Sequence, residues 1–254
     1  MLLAFTGDIH SPRYLSTFAT ALNNLTNGDR VEAIVFVGDI VEKNYVEGVR
    51  PVIELTRKKL QNAKIVMVFG NEEYRGHEKP YVEKFNEVIW LNDSETVLEL
   101  SKATVGIIGT RGALDKLTTW QMKNAPWLNK YYRELPNRIK DLARSLRSKC
   151  NYVILASHYG VTRRTLIGED TRSWPYLASS LMEALISKDL FDLIVHAHVH
   201  RGEVERALIN GVYVYNVSLQ ARGRIITIDL EKPHRDLMSY ALKGTARRDL
   251  RSEP

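Results

Sequence analysis

The chain has 254 residues, of which 44% are hydrophobic and 26% charged, and it carries a formal net charge of +6. This length and composition exclude disordered, collagen-like and coiled-coil proteins and suffice for one hydrophobic core. The single cysteine, Cys150, excludes a disulfide-stapled secreted scaffold and indicates a reducing compartment. The apolar runs fall short of the roughly 20 residues that a membrane-spanning helix needs. We therefore expect a soluble, cytoplasmic protein with no membrane partner.

Short runs rich in β-branched residues alternate along the chain with segments of helical periodicity. The predicted strands cover residues 2–5, 33–37, 65–69, 104–108, 152–155, 193–195, 212–217 and 225–230. The predicted helices cover residues 14–25, 49–60, 127–149 and 176–188. Strand-helix-strand alternation is typical of an α/β protein, and the closeness of the last two strands predicts a hairpin or a meander. Residues 1–240 are predicted to form a single domain, followed by a basic tail at 241–254.

Five of the predicted strands are followed directly by side chains that can bind metals. They are Asp8 and His10, Asp39, Asn71 with Glu72, His158, and the triplet His196, His198 and His200. Because the carboxyl ends of parallel strands share one edge of an α/β sheet, residues far apart in sequence can meet there. The period-two spacing of the triplet predicts that its imidazoles lie on one face of an extended segment. Carboxylate, imidazole and amide groups without a thiolate suit Mn, Fe, Zn or Ni.

Each of these residues taken alone is more often a turn residue or a helix cap, so the signal lies in their combination. Together they form the motifs Asp8-x-His10, Gly38-Asp39, Gly70-Asn71, His158 and Ala197-His198-x-His200. This set resembles the five-part signature of the calcineurin-like metallophosphoesterases, and the resemblance spans nearly the whole chain. It implies an α/β fold, α+β in some classification schemes, built as a four-layer αββα sandwich in which helices flank two packed mixed sheets.

The resemblance also implies two divalent metal ions and their ligands. One ion would be held by Asp8, His10 and His200, the other by Asn71, His158 and His198, and Asp39 would bridge both. The reaction implied is the hydrolysis of a phosphate mono- or diester by a hydroxide that bridges the two ions. Asp39, Asn71 and Glu72 are the candidate catalytic residues, and the expected substrate is a phosphorylated small molecule or another phosphoester.

Two residues depart from the family pattern. Ala197 stands where the family usually has glycine, and Glu72 stands where many members have a histidine that stabilises the transition state or protonates the leaving group. Three interpretations of Glu72 remain open: a general acid with a raised pKa, a partner that orients a histidine ligand, or an ordinary residue of the turn beside Glu73. An enzyme without a positioned acid should prefer aryl esters or phosphoanhydrides, whose leaving groups need no proton. A catalytically weak metal-binding scaffold is the alternative.

The positive charge is concentrated between the third and fourth motifs. Residues 101–150 contain 11 Lys and Arg against 3 Asp and Glu, whereas residues 1–100 are net acidic. Over residues 110–150, aromatic side chains are interspersed with basic ones that include Arg111. This pattern predicts either a cap that contacts the substrate or a helix with a solvated basic face.

A second group of basic residues follows His158. Arg163 and Arg164 are the predicted substrate-binding residues, because the planar guanidinium group binds phosphate through two hydrogen bonds. Nucleic acid is a less favoured substrate, because the chain has no added DNA-binding module, and a nuclease is kept as an alternative function. The sequence leaves the oligomeric state open.

Overall fold

The computed structural model describes residues 1–232, and the basic tail predicted at residues 241–254 lies outside them. The strands are β1 (Leu2–Thr6), β2 (Val31–Val37), β3 (Lys64–Val68), β4 (Ile89–Leu91), β5 (Ser94–Glu99), β6 (Thr104–Thr110), β7 (Tyr152–Ser157), β8 (Leu193–His196), β9 (Arg206–Ile209), β10 (Val212–Asn216) and β11 (Ile226–Asp229). The helices are α1 (Leu15–Asn23), α2 (Val49–Lys59), α3 (Lys79–Lys84), α4 (Thr119–Asn124), α5 (Leu128–Arg147), α6 (Ser180–Glu183) and α7 (Leu219–Arg222). None of these helices is long and apolar enough to cross a lipid bilayer.

The strands form two mixed sheets. The first has the order β11-β1-β2-β3-β4, in which β1 to β4 are parallel and β11 runs antiparallel to β1. The second has the order β5-β6-β7-β8-β10-β9, in which the four central strands are parallel and the edge strands β5 and β9 are antiparallel to their neighbours. In each sheet the parallel strands end at one edge, and the loops with the candidate ligands begin there.

The sheets pack face to face because their central strands are apolar on both sides. Along β2, Val35 and Val37 lie in the layer between the sheets, whereas Ile34 and Phe36 pack against the helices. Helices α1 and α2 cover the outer face of the first sheet, and α5 covers that of the second. Each fully buried aliphatic side chain contributes roughly 1.5–3 kcal/mol of hydrophobic stabilisation. The four-layer αββα sandwich is confirmed.

Helix α5 shows how the sequence pattern positions an outer layer. Its buried side chains recur at spacings of three and four residues: Leu128, Tyr132, Leu135, Ile139, Ala143 and Leu146. This apolar stripe packs on β6 and β7, and the basic residues of the helix face solvent. Because α5 connects these two parallel strands, it is the crossover helix of the second sheet. A cap is predicted over residues 110–150. Of this segment, only the part before α5 and the first turns of α5 approach the candidate site described below.

The helix predicted at residues 176–188 is wrong in extent. The structure contains only α6 in this segment, preceded by a short 3₁₀ turn at Trp174–Tyr176. Ala178 forms a parallel bridge with Gly160, which holds the chain extended immediately before the helix. A tertiary contact thus shortens a segment whose periodicity favours a helix.

The hairpin or meander predicted from the last two strands is also wrong, because β10 and β11 belong to different sheets. After β10 the chain crosses to the first sheet, where Ser218 bridges Gly7, and α7 then leads to β11. The hairpin of this region is formed by β9 and β10 instead. Its turn consists of Asn210 and Gly211, which both have positive φ angles, as a tight hairpin turn requires.

Candidate metal centre

Two clusters of metal-binding side chains lie at the edge where parallel strands of both sheets end. The first cluster consists of Asp8, His10 and His200, and the second of Asp39, His158 and His198. Within each cluster, one ligand atom of every member lies within 4.8 Å of the others. The carboxylates follow β1 and β2 of the first sheet, whereas three of the histidines follow β7 and β8 of the second. Each cluster therefore combines residues from both sheets.

Four of these ligands have a left-handed backbone, which is uncommon for residues other than glycine. The φ angles are 58° for Asp8, 43° for His10, 47° for Asp39 and 64° for His198. Hydrogen bonds hold the turns in place: the Asp8 N–H donates to the Gly38 carbonyl over 3.0 Å, and the His10 N–H donates to the Asp39 carbonyl over 2.9 Å. Such conformations persist where the surrounding structure over-determines them, which is typical of functional sites.

The carboxylate of Asp39 lies between the two clusters. Its Oδ2 is 3.7 Å from His10 Nε2 in the first cluster, and its Oδ1 is 3.4 Å from His158 Nε2 in the second. The Glu72 N–H donates to Oδ1 over 2.8 Å and orients the group. One carboxylate oxygen therefore faces each cluster, which is the arrangement that a bridging ligand needs.

Asn71 joins the second cluster through His158. The imidazole Nδ1 lies 3.0 Å from the Val37 carbonyl, which can only accept a hydrogen bond, so Nδ1 carries the proton of the neutral ring. The unprotonated Nε2 then faces the Asn71 Oδ1 over 3.0 Å. Burial lowers the pKa of His158 to about 4, which keeps the ring neutral at pH 7. Two lone pairs facing each other in this way are the natural ligands of one cation.

Several buried ligand atoms have no hydrogen-bond partner among the described residues. They are Asp8 Oδ1, His10 Nε2, His198 Nδ1 and His200 Nε2. Buried polar atoms in folded proteins are nearly always paired, so four unpaired atoms at one place indicate that they bind a ligand. All four are electron-pair donors of the types that first-row divalent metals bind. The residues present therefore fit divalent metal ions.

The electrostatic interactions at this place also favour divalent metal ions. Asp8, Asp39 and Glu73 are three fully buried carboxyl groups that lie close together. Burial raises the pKa of Asp39 well above its usual range, and the negative charges of Glu73 and Asp8 raise it further. Divalent cations would offset this concentration of negative charge, because opposite charges attract strongly at such distances away from water.

The family model described as calcineurin-like phosphoesterase matches residues 1–202, four-fifths of the chain. The chain belongs to the calcineurin-like phosphoesterase family. Membership indicates a phosphoesterase that depends on divalent metal ions, in agreement with the two clusters. A comparison with curated protein sequences gives no significant match.

Solved structures share the fold at low sequence identity. Phosphopantetheinyl hydrolase from Mycobacterium tuberculosis superposes with a TM-score of 0.60 at 13% identity, covering 92% of this chain and 97% of that one. GAP50, the anchor in the inner membrane complex of Plasmodium, has a TM-score of 0.55 at 14% identity, covering 87% and 72%. NAD nucleotidase from Haemophilus influenzae has a TM-score of 0.52 at 12% identity, covering 85% and 45%. These similarities establish the calcineurin-like fold.

At two positions near the site, neighbouring segments of this phosphoesterase approach each other so closely that one of them needs glycine. A Cβ atom at Gly70 would overlap the carboxylate and the backbone nitrogen of Asp39, so only glycine allows the loop after β3 to approach the central ligand. Ala197, which departs from the family glycine, is fully buried. A Cβ atom at Gly7 would lie 2.7 Å from the Ala197 Cβ, so the methyl group of Ala197 depends on glycine opposite it.

The buried side chains of Glu73 and Arg111 hold the loops after β2 and β3 through hydrogen bonds, a role that the sequence does not indicate. Glu73 Oε2 accepts hydrogen bonds from the N–H groups of Asp39 and Gly70, over 3.0 and 2.7 Å, and Oε1 accepts one from Val41 over 3.0 Å. The buried Arg111 side chain donates to the carbonyls of Gly70 and Glu73, both over 2.9 Å. Arg111 therefore supports the loop after β3 from within and is not an exposed cation of a cap. The signal that could have indicated Glu73 is its place directly after Asn71 and Glu72.

Glu72 is half-buried beside Asn71. Its Oε2 accepts a hydrogen bond from the Lys43 N–H over 2.7 Å. Glu72 also interacts electrostatically with His10, so the interpretation in which it orients a histidine ligand stays a prediction like the other two. Its side chain lines the cavity described next, and its role in the reaction stays a prediction.

A cavity of about 820 Å³ opens directly beside the second cluster. Asn71, Glu72 and His198 lie in its lining, together with six aromatic side chains and with polar and aliphatic residues of α4, the start of α5 and neighbouring loops. This volume lies in the range of pockets that hold drug-sized ligands, roughly 300–1,000 Å³. The cavity beside the candidate metal centre is therefore large enough for a small organic molecule.

Several predicted residues lie elsewhere. Arg163 and Arg164 are exposed and do not line the cavity, and Arg163 forms an ion pair with Asp115 over 2.7 Å. The prediction that three histidines share one face is wrong, because the left-handed His198 ends the extended conformation. His196 is instead buried away from both clusters, with Nε2 2.7 Å from Thr165 Oγ1.

The buried histidines predict acid sensitivity of the metal-free protein. Burial lowers the pKa of both His158 and His196 from 6.5 to about 4, so the unfolded chain binds more protons between these values. The contribution of these two groups to the free energy of unfolding should therefore fall as the pH decreases from about 6.5 to about 4. His196→Gln removes one of these groups and should reduce the loss between pH 7 and pH 4.5 by about 2 kcal/mol, measured by urea unfolding in EDTA. His77→Gln, at an exposed position, is the control, and equal losses in both variants would refute the argument.

Proposed function

We propose that the chain hydrolyses a phosphate ester at a centre of two divalent ions. The observation that carries this proposal is the position of Asp39, with one carboxylate oxygen toward each cluster. Asp8, His10 and His200 would hold one ion, Asn71, His158 and His198 the other, and Asp39 both. When bound, such ions supply hydroxide near neutral pH and neutralise the charge that builds on the phosphoryl group.

The protein's own residues fix the geometry of this reaction. The Val37 carbonyl selects the His158 tautomer that leaves Nε2 free, and the Glu72 N–H orients Asp39. The N–H of His198 donates to Asp8 Oδ2 over 2.9 Å, which turns Oδ1 toward His200. Because Asn71 belongs to the second cluster and also lines the cavity, it would contact both the metal and the phosphoryl group.

Glu72 determines which esters such a centre would cleave well. The carboxylate is held by the Lys43 N–H at the entrance to the site, where an ionised group repels a phosphate and donates no proton. We therefore expect a preference for esters with good leaving groups, such as aryl phosphates or phosphoanhydrides. If Glu72 is protonated when substrate binds, it would act as a general acid, and alkyl esters would be cleaved comparably.

The comparisons support a small phosphoester as the substrate, because two of the similar structures are named a phosphopantetheinyl hydrolase and a nucleotidase. GAP50 is described as an anchor, so the same fold can also serve attachment. The complete ligand set favours an enzyme here, because an attachment surface does not need buried histidines and carboxylates without partners. Cys150, the single cysteine, supports the proposed cytoplasmic location.

Metal removal and restoration tests the proposal. The purified chain should lose activity in EDTA and regain it with Mn²⁺, Fe²⁺, Zn²⁺ or Ni²⁺, with about two ions per chain by elemental analysis. A panel of aryl monoester, aryl diester, alkyl diester, nucleotide and single-stranded DNA defines the substrate class. His198→Ala should lose one ion per chain, whereas His77→Ala, outside both clusters, should keep two. Fewer than one ion per chain, with no activity on reconstitution, would overturn the proposal.

A further inference from the structure

Exposed aromatic side chains are concentrated at one place on the described surface. Among residues 1–232, five aromatic side chains are exposed by more than a third: Tyr45, Tyr74, Trp120, Trp127 and Tyr176. All except Tyr45 line the cavity beside the second cluster. Trp120 is 67% and Trp127 54% exposed, which leaves large apolar areas in water. Apolar patches of this kind mark binding sites rather than core.

The aromatic lining of the cavity continues inward to the metal ligands. The Tyr159 ring lies 4.8 Å from the His198 ring, and the Tyr132 ring lies 6.4 Å from that of Tyr159, both edge to face. Tyr132 and Tyr159 are buried and form the inner wall, while the two exposed tryptophans form the outer one. A group attached to a phosphate at Asn71 and His198 would therefore enter an aromatic space.

The aromatic wall is held in position by specific contacts. Helix α4 begins with a capping box in which the side chains of Thr118 and Gln121 each pair with the other's backbone N–H. Gln121 Nε2 also donates to the Tyr132 hydroxyl over 3.1 Å, which ties α4 to α5. The Arg75 guanidinium lies over the Trp127 ring, 5.8 Å from its centroid, and fixes the start of α5 from the other side. These contacts fix α4 and the start of α5, where Trp120 and Trp127 lie, before a ligand binds.

The distribution of basic side chains around the cavity does not favour a long polyanion as the ligand. Lys123, Lys130 and Arg133 are exposed, but none of them lines the cavity. Lys130 pairs with Glu134 one turn along the helix, over 3.7 Å. The cavity lining also contains two arginines, but Arg111 donates to the backbone carbonyls of Gly70 and Glu73, and Arg75 lies over the Trp127 ring. The cavity therefore offers aromatic faces and not a row of free cations for several phosphates.

We infer that the cavity binds a planar aromatic group of the substrate, stacked on Trp120 and Trp127, while the phosphate lies at Asn71 and His198. The position of the phosphate rests on the proposed function. The substrate class is thus a phosphate ester whose organic part carries an aromatic ring system, and the two tryptophans are its specificity-determining residues. Aryl and nucleoside groups belong to this class, and simple alkyl or sugar groups do not.

Binding of phosphonates to the Mn²⁺-loaded protein tests this inference, because their carbon–phosphorus bond resists hydrolysis. Calorimetry compares benzylphosphonate, cyclohexylmethylphosphonate and methylphosphonate, which share the phosphoryl group but differ in the ring. We expect benzylphosphonate to bind about tenfold more tightly than methylphosphonate and more tightly than the cyclohexyl compound, since stacking needs a flat face. The double variant Trp120→Ala, Trp127→Ala should lose this advantage, with unchanged affinity for methylphosphonate.

Matched variants separate stacking from damage to the fold. The double variant Trp120→Phe, Trp127→Phe keeps the rings and should retain most of the advantage. Met122→Ala removes an exposed side chain from the same helix, outside the cavity lining, and should change nothing. Equal binding of the three phosphonates, no binding of any, or an advantage that survives in the alanine variant would overturn the inference. Ring-dependent binding without hydrolysis of any ester would refute the proposed function alone, and hydrolysis with ring-independent binding would refute this inference alone.

Discussion

Asp39→Asn is expected to abolish hydrolysis while making the metal-free protein more stable. The variant keeps the size of the side chain and an oxygen that accepts the Glu72 N–H. It replaces the other oxygen by an amide NH₂ group, whose nitrogen does not bind a cation. The nitrogen would replace the oxygen that faces His10, so the first cluster would lose a ligand, and the second would keep a neutral amide oxygen in place of a carboxylate. We expect kcat to fall well beyond the roughly 10–100-fold that loss of a ligand's hydrogen-bond partner costs.

The gain in stability follows from the direction of the pKa shift. Burial and the charges of Glu73 and Asp8 raise the pKa of Asp39 in the folded state, so its ionised form destabilises the fold at neutral pH. This cost is absent below pH 3.8, the ordinary pKa of the group, because the carboxyl is then protonated in both the folded and the unfolded state. In EDTA at neutral pH, the free energy of unfolding should rise by about 1 kcal/mol or more, and the difference should shrink toward pH 4.

Urea unfolding in EDTA and elemental analysis measure the two effects separately. Asp29→Asn makes the same chemical change at an exposed residue outside both clusters, and it should retain activity, metal content and stability. Hydrolysis by Asp39→Asn at a wild-type rate would show that Asp39 does not serve both clusters. An unchanged stability without metal would show that the buried carboxylates do not repel each other.

Glu73→Ala is expected to lower the free energy of unfolding by about 3 kcal/mol or more. The carboxylate accepts hydrogen bonds from the N–H groups of Asp39, Gly70 and Val41, and each buried donor left unpaired costs roughly 1–3 kcal/mol. Relief of the repulsion with Asp39 offsets part of this loss. Metal affinity should fall as well, by roughly 10–100-fold, because the loops with Asp39 and Asn71 lose their common anchor.

Denaturant unfolding and a metal titration measure these losses. Glu72→Ala is the matched control for stability, because its carboxylate accepts one N–H, from Lys43 near the surface. We expect it to cost less than about 1 kcal/mol. Equal destabilisation by the two substitutions would mean that the buried hydrogen bonds of Glu73 do not support the loops.

The ligands themselves were predictable because local rules place them. Asp8, Asp39 and His158 each follow a short apolar strand, and the convergence of strand ends at one edge is a general property of parallel sheets. The four-layer fold followed from the resemblance that these residues carry. Similarly, the spacing of Leu135, Ile139 and Leu146 indicated the buried face of α5 without knowledge of what it covers.

What the sequence could not predict depends on neighbours that are distant along the chain. Glu72 and Glu73 are chemically identical, and only the path of the loop after β3 decides that Glu73 is buried and Glu72 faces the cavity. The left-handed backbone of His198 separates it from His196 despite their regular spacing. The edge strands β4, β5 and β9 went unpredicted, as did the crossing from β10 to the first sheet, because sheet pairing is a tertiary choice.

The sharing of each cluster between both sheets has a consequence for the order of events during synthesis. The first cluster needs His200 and the second needs His198, so neither can form until the segment after β8 has been synthesised. A nascent chain that ends before β8 holds both carboxylates but only two of the four imidazoles of the clusters. Each cluster can therefore be completed only after β8 has been made, and an ion held there would link the first sheet to the second.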